Sequence, residues 1–87
     1  GFFVDSLGWV HYQLGNYGFA VEFLEKATVL EPADALITSH LGDAYWQNNR
    51  YIEARFKWRY AASITTDDEL HDSLQEKLKY GLSATGD

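Results

Sequence analysis

Residues 41–46 of the chain read Leu-Gly-Asp-Ala-Tyr-Trp, and residues 7–12, which lie 34 positions earlier, read Leu-Gly-Trp-Val-His-Tyr. The Leu-Gly pair and the closing aromatic side chain thus return after 34 residues. A period of this length, built from two helices, is typical of a helical solenoid. Further identical pairs at the same shift are Gln13 with Gln47, Tyr17 with Tyr51, Ala20 with Ala54, Ala27 with Ala61, and Asp34 with Asp68.

Glycine and alanine recur where two helices of such a unit would cross. Glycine inside a helix costs ~1 kcal/mol relative to alanine, so its return at Gly8 and Gly42 indicates a steric need. With Ala20 and Ala27 on the facing helix, the two axes can approach to about 8 Å. The pattern predicts helices over residues 2–14, 18–30, 35–48, 52–64 and 67–81.

These positions resemble the tetratricopeptide repeat, whose pattern runs W-x2-L-G-x2-Y, then A-x3-F, then P. The first repeat reads Val4-x2-Leu7-Gly8-x2-His11, then Ala20-x3-Leu24 and Pro32; the second reads Thr38-x2-Leu41-Gly42-x2-Tyr45, then Ala54-x3-Trp58 and Thr66. The sequence departs from this pattern at four positions: Val4 and Thr38 replace the aromatic residue, His11 replaces the tyrosine, and Thr66 replaces the proline. The stretches 41–46 and 53–58 look like the last repeats of long bacterial arrays, so we expect the C-terminal repeats of a longer bacterial protein.

The resemblance implies an all-α fold, a right-handed α-solenoid of antiparallel helix pairs. We expect one repeat over residues 1–34, a second over 35–66, a capping helix over 67–82 and a disordered tail over 83–87. In the capping helix, Thr66 and Glu69 have the spacing of a capping box. Asp34 is the expected N-cap of the third helix, and Gly15 and Asn16 are expected to end the first. An apolar stripe of the capping helix is formed by Leu70, Leu74, Leu78 and Leu82.

Composition narrows the class of protein. The net charge of −6 argues against nucleic acid as a partner, and the chain has no cysteine for a disulfide or thiolate metal site. No apolar run approaches the roughly 18 residues of a membrane span, and the first residues do not resemble a signal peptide. Cytoplasm and bacterial periplasm are both compatible with these features. We interpret the basic residues Arg50, Arg55, Lys57 and Arg59 as a solvated outer helix face, with Glu53 placed to pair with Lys57.

The helices that open each repeat would line the concave side of the solenoid. The resemblance implies that such positions bind peptides, and aromatic side chains beside carboxylates suit a peptide or protein with apolar and basic side chains. The groups that clamp a C-terminal carboxylate in some family members are missing. The predicted contact residues are Phe2, Asp5, Trp9, Tyr12 and Gln13 on the first helix, with Leu36, Ser39, Asp43, Trp46 and Gln47 on the third.

Other interpretations of these residues stay open. Trp9 and Trp46 could pack inside the fold instead of facing a groove, as we expect for Trp58. Asp43 could be a solvated carboxylate. The chain could also be a structural or self-assembling end of a larger array, with Phe2, Phe3 and Val10 forming an apolar face for a homo-oligomer.

Catalysis is not expected from this sequence. It has no glycine-rich phosphate loop, no H-E-x-x-H and no G-x-S-x-G motif. His40 and Asp43 lie three residues apart but have no third ligand nearby for a metal ion. We therefore predict no catalytic residues, no cofactor and no metal site.

Overall fold

The computed structural model describes residues 2–82, with side chains from residue 4 onward. The predicted tail over residues 83–87 and the side chains of Phe2 and Phe3 lie outside this range. Within it the structure contains helices and no strand, which confirms the prediction of an all-α helical-repeat fold. Every helix end lies within one residue of its predicted position. The helices are α1 (Phe2–Gln13), α2 (Tyr17–Leu30), α3 (Ala35–Gln47), α4 (Tyr51–Ile64) and α5 (Asp68–Tyr80).

The helices pack in the order in which they follow along the chain. Each one contacts the next, and α1 also contacts α3. Helices α1 and α3 are therefore neighbours on one side, while α2 and α4 pack against them from the other.

Two glycines allow these helices to cross closely. A Cβ atom on Gly42 would lie 2.5 Å from the indole Cδ1 of Trp58, and one on Gly8 would lie 2.7 Å from Cγ of Leu24. Both facing side chains are fully buried and have no room to withdraw. The predicted steric need for glycine is confirmed at both crossings.

The core runs through the whole stack. It combines small residues at the crossings with a few large side chains that fill the space between them. Trp58 is fully buried, as predicted. The core residues include Ala20, Leu24, Ala27, Leu41, Ala44, Ala54, Trp58, Ala61 and Leu74.

The turns follow the predicted chemistry at two places. Gly15, two residues after the end of α1, has a φ of 83°, in the left-handed region that favours glycine. The carboxylate of Asp34 accepts a hydrogen bond from the Ile37 N–H at 3.0 Å and caps α3.

The predicted capping box at the start of α5 is wrong. The N-cap is Asp67, whose Oδ1 accepts hydrogen bonds from the N–H groups of Glu69 at 2.9 Å and Leu70 at 3.3 Å. Glu69 is then the second helical residue, whereas the acidic partner of a capping box must be the third. Thr65 supports this start, because its hydroxyl oxygen accepts from the Asp67 N–H at 3.1 Å.

Helix α5 continues the register of the repeat. Lys77 lies 34 residues after Asp43 and contacts it across the two helices. On the side of α5 away from this contact, the residues are polar and exposed. The residues 34 positions earlier, in α3, are buried. In α5 these positions hold Asp72, Gln75, Glu76 and Lys79, and in α3 they hold Thr38, Leu41, Gly42 and Tyr45. This face of α5 is therefore more polar than the corresponding face of α3.

Candidate partner-binding surface

The surface shared by α1 and α3 is built around stacked rings. Trp9 stacks on Tyr12, with centroids 4.7 Å apart and planes 4° apart, because residues three apart on a helix share a face. Trp9 also stacks on His40 of α3, with centroids 3.9 Å apart. The amide nitrogen of Gln47 donates to the Tyr12 hydroxyl at 3.5 Å. The contacts between α1 and α3 thus join residues 31 and 35 positions apart, close to the repeat period of 34.

A carboxylate and an imidazole lie beside this stack. Asp5 Oδ1 is 3.8 Å from His40 Nδ1, and neither of these buried atoms has a hydrogen-bond partner among residues 4–82. Burial lowers the pKa of His40, and the nearby carboxylates of Asp43 and Asp5 oppose this shift without cancelling it. The lowered pKa favours the neutral form of the imidazole at pH 7.

Sequence reasoning missed the part played by His40. We considered it only as a metal ligand with Asp43. Its stacking on Trp9 depends on the angle between α1 and α3, and no local pattern encodes that angle. Its position three residues before Asp43, at the edge of the predicted stripe, is the signal that could have included it.

Asp43 is buried where α3, α4 and α5 meet. Its Oδ1 accepts hydrogen bonds from the Trp58 indole N–H and from the Lys77 ammonium, both at 3.0 Å. Burial raises the pKa of Asp43, and the charge and hydrogen bonds of Lys77 and Trp58 oppose the rise. The interpretation of Asp43 as a solvated carboxylate is wrong. Ser39 is buried as well, so these two candidate contacts sit beneath the surface.

Trp46 has contacts of a packing residue. Its ring meets Tyr51 edge-on at 4.5 Å and stacks on Trp58 at 5.4 Å, while the Arg55 guanidinium lies 5.4 Å from its centroid. A Cβ atom on Gly81 would lie 2.4 Å from Cζ2 of Trp46, so the end of α5 closes over this ring. These contacts match the packing interpretation of Trp46.

The remaining predicted contacts are accessible. Gln13 and Leu36 are exposed, and Asp5, Trp9, Tyr12 and Gln47 are half-buried. We call these six residues the concave surface. Phe2 shares their predicted stripe, but its side chain lies outside the described residues.

The described residues contain neither a cluster of metal ligands nor a membrane-spanning helix. No group of three or more His, Cys, Asp or Glu side chains is placed to hold a metal ion there. None of the helices that the structure describes is long and apolar enough to cross a bilayer.

The fold is that of a helical-repeat protein. Residues 8–49, from the end of α1 to the turn after α3, match the family model described as TPR repeat. This match supports the predicted assignment of the chain to the tetratricopeptide repeat family. Such repeats are non-catalytic modules that generally mediate protein–protein interaction. No curated protein and no solved structure matches the chain.

Proposed function

We propose that this protein binds a peptide segment of a partner protein on the concave surface. The observation that carries the proposal is the Trp9–Tyr12 stack beside the Asp5 carboxylate, at the junction of α1 and α3. Aromatic rings held in place by their neighbours lose little entropy on binding and offer a large apolar area.

The expected ligand carries basic and apolar side chains. Asp5 forms no ion pair with a lysine or arginine among residues 4–82. His40 lies 3.8 Å away, and its lowered pKa favours the neutral imidazole. A lysine or arginine of the ligand would give this carboxylate a charge-assisted hydrogen bond. The net charge of −6 would also attract a basic ligand from a distance.

The contact set is narrower than the sequence alone suggests. Ser39 and Asp43 are buried, and Trp46 is packed against Trp58. We infer that these three residues hold the surface in shape, while Asp5, Trp9 and Tyr12 contact the ligand.

Selection of displayed random dodecapeptides on the immobilised chain tests this proposal. We expect enriched peptides that carry arginine or lysine next to aromatic or aliphatic residues. Their affinity, measured by fluorescence anisotropy, should fall by about tenfold or more in Asp5→Lys and Trp9→Ala variants.

Asp72→Lys is the matched control, because it makes the same charge change on the exposed polar face of α5. Circular dichroism checks that each variant stays helical. Equal binding by wild type and Asp5→Lys, or an equal loss in Asp72→Lys, would refute the concave surface as the site.

Self-association is a second candidate function, favoured by the exposed face of α1. Leu7 is 46% exposed, whereas Leu41, which occupies the same repeat position in α3, is 1% exposed because α2 packs against α3. Val10 and Leu14 are exposed on the same face, and burial of such a stripe against a second copy would be favourable. Of the residues predicted for this contact, only Val10 has a described side chain.

Sedimentation velocity across a range of concentrations tests self-association. We expect the wild type to shift from monomer to dimer and Val10→Glu to remain a monomer. A wild type that stays monomeric at high concentration would eliminate this candidate.

A further inference from the structure

An aromatic ridge lies on the outer side of α4, away from the concave surface. Phe56 and Tyr60 are one helical turn apart and remain 63% and 43% exposed. Two shallow depressions share this ridge as a wall. One is lined by Phe56, Arg59, Tyr60 and Ser63, and the other reaches Val29 and Pro32 of the first repeat and includes Lys57. We call Val29, Phe56, Lys57, Arg59 and Tyr60 the outer patch.

The fold does not require this ridge. Ile52, Phe56 and Tyr60 of α4 occupy the repeat positions that hold Gly18, Glu22 and Lys26 in α2. All of these positions are exposed, so the first repeat meets the same environment with small and charged residues. Arg59 likewise replaces Glu25, which reverses the charge at that position. The second repeat has thus acquired an apolar, cationic surface in place of a polar one.

The cations of the outer patch form no ion pair among the described residues, and Lys57 Nζ lies 5.9 Å from the centroid of the Phe56 ring. Neither Lys57 nor Arg59 has a carboxylate within ion-pair distance among residues 4–82. The other two arginines have internal contacts: Arg50 pairs with Glu53 at 3.2 Å, and Arg55 donates to the Leu78 carbonyl at 2.6 Å. Glu53 therefore pairs with Arg50 and not with Lys57, contrary to the prediction from spacing.

The ridge is also held in place before any ligand arrives. The Tyr60 hydroxyl lies 3.5 Å from the Pro32 carbonyl oxygen, to which it donates, and this contact links α4 to the α2–α3 connection. A fixed ring gives a ligand contact area at low entropic cost. The outer patch thus combines an apolar ridge with two cations, Lys57 and Arg59, that have no carboxylate partner among residues 4–82.

We propose that the outer patch is a second binding site, which takes an acidic amphipathic segment of a partner protein. Apolar side chains of that segment cover Phe56 and Tyr60, and its carboxylates pair with Lys57 and Arg59. The charges that line the two depressions are both positive, which selects against the basic ligand expected on the concave surface.

The test uses the Asp5→Lys, Trp9→Ala double variant, which disables the concave surface and keeps the outer patch. Random dodecapeptides are selected on this variant, and their affinities are measured by fluorescence anisotropy. We expect enriched peptides with several carboxylates and aromatic or aliphatic residues. Binding should weaken by about tenfold or more in Phe56→Ala and Arg59→Glu versions of the variant.

Matched controls separate the patch from general effects of charge and apolar area. Phe19→Ala removes an equally exposed phenylalanine of α2, and Lys79→Glu makes the same charge change on α5. Neither should weaken binding. Replacing the carboxylates of a selected peptide by lysine should restore its binding to the Arg59→Glu version.

The results separate this site from the concave surface. Selection of no peptides, of basic peptides, or of peptides that bind Arg59→Glu as well as its parent would overturn the outer patch. None of these results bears on peptides selected by the wild type through Asp5 and Trp9.

Discussion

Single residues at the helix crossings determine how closely the helices pack, and the glycines illustrate this effect. Gly42 faces the indole of Trp58 and Gly8 faces Leu24, whereas a Cβ atom on Gly18 would meet nothing within 4 Å. The repeat identifies the first two from sequence alone, because Gly8 and Gly42 return after 34 residues and Gly18 does not. Recurrence thus identifies the glycines at the two helix crossings, but it does not identify Gly81, whose Cβ would meet the ring of Trp46.

Substituting alanine at Gly42 and Gly18 should therefore have opposite effects. Gly42→Ala should lower the free energy of unfolding by ~1–3 kcal/mol, because overpacking outweighs the better helix propensity of alanine. Gly18→Ala should raise it by up to about 1 kcal/mol, since the new methyl group meets no neighbour. Urea unfolding followed by circular dichroism measures both values. A stabilised Gly42→Ala variant would contradict the close crossing of α3 and α4.

The property that the sequence predicted least well was the burial of carboxylates such as Asp43. Whether Asp43 faces water depends on Trp58 and Lys77, which reach it from two other helices. The spacing of residues within α3 indicates only that Asp43 lies on the same helix face as Ser39 and Trp46. Lys77 is at the matching repeat position 34 residues later, and extending the alignment to α5 would have suggested the pair.

At the scale of helices, the apolar periodicity predicted correctly where each helix lies and how long it is. The N-cap residue of α5 was predicted less well. All five helix spans follow from the apolar spacing and the turn residues. The start of α5 has several candidate caps in Thr65, Thr66, Asp67 and Asp68, and their spacing alone does not rank them. The observed start at Asp68 allows the Asp67 carboxylate to accept from two backbone N–H groups.

The capping assignment predicts unequal effects at neighbouring residues. Asp67→Ala should destabilise the fold by ~1 kcal/mol, because it removes the acceptor for the Glu69 and Leu70 N–H groups. Thr66→Ala should change stability by less than about 0.5 kcal/mol, the scale of an ordinary surface substitution. Thermal melts of the two variants give the comparison. A larger loss in Thr66→Ala would restore the capping box.

Across the whole molecule, the repeat places α1, α3 and α5 in one register. This register brings Trp9 next to α3 and Lys77 onto Asp43, so the concave surface was predictable in outline. The outer patch was not predictable from the sequence, because we interpreted its basic residues as an ordinary solvated helix face. Comparison of Phe56 and Tyr60 with Glu22 and Lys26 at the matching positions reveals it only when exposure is known.

The ion pair between α3 and α5 tests this register most directly. A double-mutant cycle with Asp43→Asn and Lys77→Met, measured by urea unfolding, isolates the energy of the contact from the effects of each substitution alone. We predict a coupling energy of ~0.5–3 kcal/mol, as expected for two residues in direct contact. Strictly additive effects would show that Lys77 does not meet Asp43, and would contradict the docking of α5 as the third helix of the concave row.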